Sequence, residues 1–84
     1  MRLRITTTKD GQMSIIQIDG QLAGVGVLEL ERECWAAGLP IALDLSNLRW
    51  ADFDGVQLIK TFVAKGAQLR GMSPYVEMLL KREQ

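Results

Sequence analysis

Histidine is missing from all 84 residues, and with it the commonest general base and the commonest metal ligand of proteins. A single cysteine, Cys34, excludes an internal disulfide. With no histidine to join it, it cannot build a structural zinc site either, and it fits a reducing compartment. Neither sign of charge is in excess: ten Lys and Arg balance ten Asp and Glu. No basic surplus therefore drives binding to nucleic acid. No apolar run approaches the ~20 residues of a membrane-spanning helix. Met1-Arg2-Leu3-Arg4-Ile5 lacks the apolar stretch of a signal peptide. A Gly-x-x-x-x-Gly-Lys phosphate loop is also absent. These absences set the expectation of a cytoplasmic, non-enzymatic chain with no cofactor, no metal, no nucleic-acid partner and no membrane insertion.

What is present is an ordinary globular composition, 48% apolar and 24% charged, which argues against disorder. The length predicts one domain over residues 1–84. A chain this short buries only roughly 60–65% of the surface its unfolded form exposes, so its stability is modest.

The hydrophobic period changes along the chain. Residues 2–8 alternate, with Leu3 and Ile5 opposite Arg2 and Arg4, as a half-buried strand does. Asp10-Gly11 marks a hairpin turn. Met13 to Asp19 forms a second strand, with Ile16 and Ile18 opposite Gln17 and Asp19. From Val25 the spacing becomes helical through Val27, Leu30, Cys34 and Ala37, and Gly38 with Pro40 ends the helix. Ile41 to Leu48 reads as a third strand, with Ile41, Leu43 and Leu45 opposite Ala42, Asp44 and Ser46. After a loop over 47–51, a second helix starts near Asp52 with a stripe of Val56, Ile59 and Val63. Ala67 to Gly71 is a short fourth strand, and Ser73-Pro74 opens a third helix with Val76, Leu79 and Leu80 inward.

The predicted fold is therefore α/β, in the order β-β-α-β-α-β-α. One hairpin strand is antiparallel and the others are parallel, joined by helical crossovers. Strands covered on both faces read as continuous apolar runs, but these keep a polar side. The reading is thus two layers: a four-stranded mixed sheet with three helices mainly on one face. The other face carries Arg2, Arg4, Asp44, Gln68 and Arg70. Trp35, Trp50, Met72 and Met78 read as packing residues, and Cys34 as a buried thiol.

The segment Leu43-Asp44-Leu45-Ser46, a short loop, then Asp52-Phe53-Asp54-Gly55 opening a helix resembles the signature of STAS domains, the sulfate-transporter and anti-sigma-factor-antagonist family. That signature is an apolar Leu-Asp-Leu-Ser strand followed by Asp-Ser-Ser/Thr-Gly. Gly20-Gln21-Leu22 is similar to the family's Gly-x-Leu after the second strand, and residues 65–74 to its fourth strand and last helix. The resemblance covers about residues 12 to 82.

The resemblance implies a protein-binding regulatory module whose partner is a kinase-like anti-sigma factor. In the family that kinase phosphorylates the hydroxyl residue after the Asp and so switches binding off. Asp52 and Gly55 match the motif, but Phe53 stands at the phosphoacceptor position and Asp54 at the second hydroxyl position. The switch has no acceptor there, which leaves Ser46 and Ser73 as hydroxyls elsewhere. The resemblance also admits a cytoplasmic subunit bound to the ATPase of a lipid-transporting ABC system, or a module for a nucleotide or lipid ligand.

The candidate partner-binding residues are Asp52, Phe53, Asp54, Gly55, Val56 and Gln57, at the tip of the second helix. Asp52 also reads as an N-cap and Asp54 as a favourable first-turn charge. Phe53 is either an exposed apolar ring or a ring folded onto Trp50 or the third helix. Neither the partner's identity nor the oligomeric state follows from the sequence.

Overall fold

The computed structural model describes residues 2–82. Alternation yields β1 (Arg4–Asp10) and β2 (Met13–Leu22), joined through Gly11 and paired antiparallel from Arg4↔Asp19 to Asp10↔Met13. The first helical stretch is α1 (Val25–Ala37). It ends at Gly38, whose N–H donates to the Cys34 carbonyl at 3.0 Å. Then follow β3 (Ile41–Leu45), β4 (Leu48–Ala51), α2 (Phe53–Ala64), β5 (Gln68–Met72) and α3 (Pro74–Arg82). The sheet runs β1-β2-β3-β5, and only the β1–β2 pairing is antiparallel.

The architecture is the α/β arrangement expected, with one correction to the strand count. The stretch assigned to a loop contains β4, which pairs in parallel with the end of β2, Gly20↔Leu48 to Leu22↔Ala51, across a bulge between Gly20 and Gln21. β3 runs beside Ser14–Gln17 of β2, and after the Ser46-Asn47 turn β4 takes over. Four residues buried at the two ends and exposed between them present no alternation to read.

The helices cover the face bearing Ile16 and Ile18 of β2 and Ile41, Leu43 and Leu45 of β3, all essentially inaccessible to solvent. Each such side chain contributes about 1.5–3 kcal/mol by leaving water. α1 adds Val27, Leu30 and Cys34, α2 adds Val56, Ile59 and Phe62, and α3 adds Val76.

Four side-chain assignments change, Trp50 among them, which is exposed rather than packed. In α2 the core takes Phe62, at 3% exposure, rather than Val63, at 39%, because Phe62 packs edge-on against Trp35 with ring centroids 5.1 Å apart. Trp35 itself stays exposed, with Lys65 Nζ 5.4 Å from its ring. Met78 is also exposed rather than core.

The opposite sheet face is the polar one. Across it run Thr6, Gln17, Asp44 and Arg70 in one row, and Thr8, Ile15, Ala42 and Gln68 in the next. Ala42 lies on this face but is fully buried, since a methyl group in a central strand sits below its longer neighbours Ile15 and Gln68.

Candidate partner-binding site

The site is built where β4 turns into α2. Asp52 has extended backbone, φ −78° and ψ −179°, and its N–H donates to the Leu22 carbonyl at the end of β2, 3.0 Å away. Its carboxylate accepts two backbone hydrogen bonds. The Gly55 N–H donates to Oδ1 at 2.7 Å, which is the N-cap of α2. The Gly24 N–H, at the start of α1, donates to Oδ2 at 3.2 Å. One side chain therefore ties the first turns of two helices together. With both oxygens committed to amides, Asp52 is poorly placed as a proton shuttle or a cation ligand. Among the described residues no three His, Cys, Asp or Glu side chains group to hold a metal ion.

Gly55 has a packing reason to be glycine. A Cβ there would stand 2.9 Å from the Leu22 carbonyl oxygen and 3.0 Å from Leu22 Cγ, so any larger residue would push α2 off the sheet. Val56 then faces the core, while Asp54 points to solvent in the first turn, where the helix dipole favours a negative charge. Gln57 is half-buried, and its Nε2 is buried without a hydrogen-bond acceptor.

Phe53 resolves the alternative left open by the sequence: it is 67% exposed. It borders a shallow groove of about 290 Å³ between α2 and α3, with Ala51, Val56 and Leu79 as its apolar floor and Asp52 and Arg82 at its rim. Trp50, Tyr75 and Met78 are exposed as well. The two hydroxyls considered elsewhere are engaged. Ser46 donates both its N–H (3.0 Å) and its Oγ–H (2.6 Å) to Asp44 Oδ1, and Ser73 Oγ accepts from the Val76 N–H at 3.1 Å as the N-cap of α3.

Sequence reasoning found Asp52 as a cap but missed its bond to Gly24, 28 residues away; no local signal encodes it. The groove under Phe53 was also missed. Its α3 wall could have been suspected from the apolar spacing of Leu79.

Solved structures share this fold. The anti-sigma factor antagonist SpoIIAA, in its unphosphorylated form, superposes with a TM-score of 0.72 at 15% identity, over 98% of this chain and 84% of that one. An anti-sigma-factor antagonist STAS domain from Rhodobacter sphaeroides superposes with a TM-score of 0.60 at 26% identity, over 83% of this chain and 85% of that one. A segment amounting to 19% of the Mglu crystal structure matches 82% of this chain with a TM-score of 0.62 and 17% identity. No protein-family model and no curated protein sequence matches the chain.

Proposed function

We propose that this chain, which has the fold of STAS anti-sigma factor antagonist domains, is a non-enzymatic, cytoplasmic regulatory module that binds a kinase-like anti-sigma factor through the tip of α2. The contact is formed by Asp52, Phe53, Asp54, Gly55, Val56 and Gln57, and the whole chain acts as one domain. The observation that carries this reading is the exposed ring of Phe53 at the mouth of an apolar groove. In the family that the sequence resembles, a hydroxyl residue stands at this position, and its phosphate blocks association. A spot where added charge abolishes binding lies in or beside the interface. Phenylalanine keeps that spot uncharged and adds apolar area of the kind that anchors interfaces. The module therefore binds constitutively.

The test is calorimetric titration of the purified domain with the anti-sigma factor encoded in the same genome, alongside urea unfolding of the free domain. Phe53→Ala weakens the complex by at least about 1–2 kcal/mol and changes the free domain's stability by less than about 1 kcal/mol. Unchanged affinity together with a stability loss of several kcal/mol would remove Phe53 from the interface. Selective binding of an ABC-transporter ATPase, with none to the anti-sigma factor, would replace the partner.

A further inference from the structure

A second concavity lies away from Phe53 and shares no lining residue with the groove beneath it. It measures about 810 Å³ and is open on one side. Arg2, Arg4 and Asp19 form one wall, and Ser46, Arg49 and Ser73 contribute to the other. The lining includes three arginines and one aspartate, a local excess of two positive charges in a chain whose net charge is zero. Among the described residues none of the three arginines is held in an ion pair.

The fold holds these walls in place. Arg4 sits opposite Asp19 in the β1–β2 register. The Asp19 carboxylate is partly engaged, since its Oδ1 accepts from Gln17 Nε2 at 3.0 Å. The Arg2 backbone lies directly over Gly20, whose φ of 98° and lack of a side chain permit the contact. The Gly20 N–H donates to the Asn47 carbonyl at 3.0 Å, tying the two walls together. Asp44, the nearest further carboxylate along β3, accepts two bonds from Ser46.

The position also suits a ligand. The groove lies at the carboxyl ends of β3 (Ser46) and β5 (Ser73) and beside the end of β2, and the crevice outside the carboxyl ends of its strands is where an open α/β sheet binds ligands. Ser73 caps α3, so the partial positive charge of that helix's first turn adds to the arginine field.

We propose that this groove binds a phosphate group, free or as a phosphate ester. Arginine forks pair two N–H donors with two phosphate oxygens, and a local excess of two positive charges matches a dianion. The proposal does not depend on the partner site at the tip of α2.

The experiment is an amide-resolved NMR titration of the intact chain with inorganic phosphate, against sodium chloride at equal ionic strength. Saturable shifts are expected at Gly20, Ser46, Asn47, Arg49 and Ser73, absent with chloride. Arg4→Gln combined with Arg49→Gln weakens the affinity at least tenfold, while Lys81→Gln on α3 leaves it unchanged. If the double variant loses its dispersed spectrum, Arg49→Lys serves instead: it keeps the charge, loses the fork, and weakens binding severalfold. A parallel arm spins the chain down with phosphatidic acid vesicles or with phosphatidylcholine vesicles. Saturation by phosphate without pelleting assigns a soluble phosphate compound. Pelleting with phosphatidic acid alone, lost in the arginine variant, assigns a lipid headgroup. Non-saturating shifts shared with chloride and no selective pelleting would overturn the site, and so would an arginine variant that binds as tightly as the native chain.

Discussion

Cys34 shows how burial sets the chemistry of one residue. Its thiol is pushed up from 9.0 to about 12, chiefly because burial removes water from the charged form, and further by the nearby Glu33 and Glu31 carboxylates. A thiol that stays protonated is a poor nucleophile and resists oxidation, so Cys34 serves as a small apolar core residue. The pH consequence has a definite sign. The unfolded chain releases the proton near 9.0 while the folded chain keeps it to about 12. The stability tied to this group is therefore complete below pH 9.0 and lost progressively as the pH rises towards 12. Urea unfolding across that window should show the native chain losing up to about 1.4 kcal/mol per pH unit more than Cys34→Ala does. Parallel alkaline slopes for the two chains would mean that the thiol titrates normally.

The two short stretches around the Ser46-Asn47 turn and the first turn of α2 form the part of the chain where elements depend on one another. Capping by Asp52 alone is worth about 1 kcal/mol, but here the carboxylate also receives the first turn of α1. Asp52→Ala should cost about 1–2 kcal/mol in urea unfolding. Asp52→Asn should recover part of it, because its single oxygen can replace only one of the two carboxylate oxygens and its NH2, a donor, then faces the other N–H. In the alanine variant hydrogen exchange at Gly24 and Gly55 should accelerate together, whereas acceleration at Gly55 alone would show that the bond to α1 contributes nothing.

The cap was legible in the sequence because it depends on residue type and position within one helix. The link to Gly24 was not, because it exists only once α1 and α2 stand side by side. β4 was hidden for a related reason: Leu48-Arg49-Trp50-Ala51 is a strand because β2 extends past β3 and offers a partner, not because its own pattern demands one.

At the scale of the whole molecule the alternation of β1, β2 and β3 already contained the two-faced sheet, and the structure places helices on one face only. Leu43→Ala should cost about 2–5 kcal/mol, while Arg70→Ala, on the open face, should stay within about 0.5 kcal/mol. Comparable losses in urea unfolding would mean that both faces are covered. Charge was less legible. A balanced count of ten and ten suggested no basic patch, yet pairing β1 and β4 with β2 gathers Arg2, Arg4 and Arg49 around one groove. Composition averages over the surface; topology decides where the charges meet.

The β1-β2-β3-β5 path of the sheet ends on two outer strands, β1 and β5. An unpaired strand flank is a template on which a second chain can add itself, the first step towards aggregation. β1 carries the run Thr6-Thr7-Thr8, rich in β propensity, between Arg4 on one side and Lys9-Asp10 on the other. β5 is only five residues long, carries Arg70, and bends at Gly71, where φ is 63°. Short length, charged flanks and a left-handed bend each make the flat, register-matched approach of another strand costly. The fold thus carries its own protection against pairing edge to edge with copies of itself.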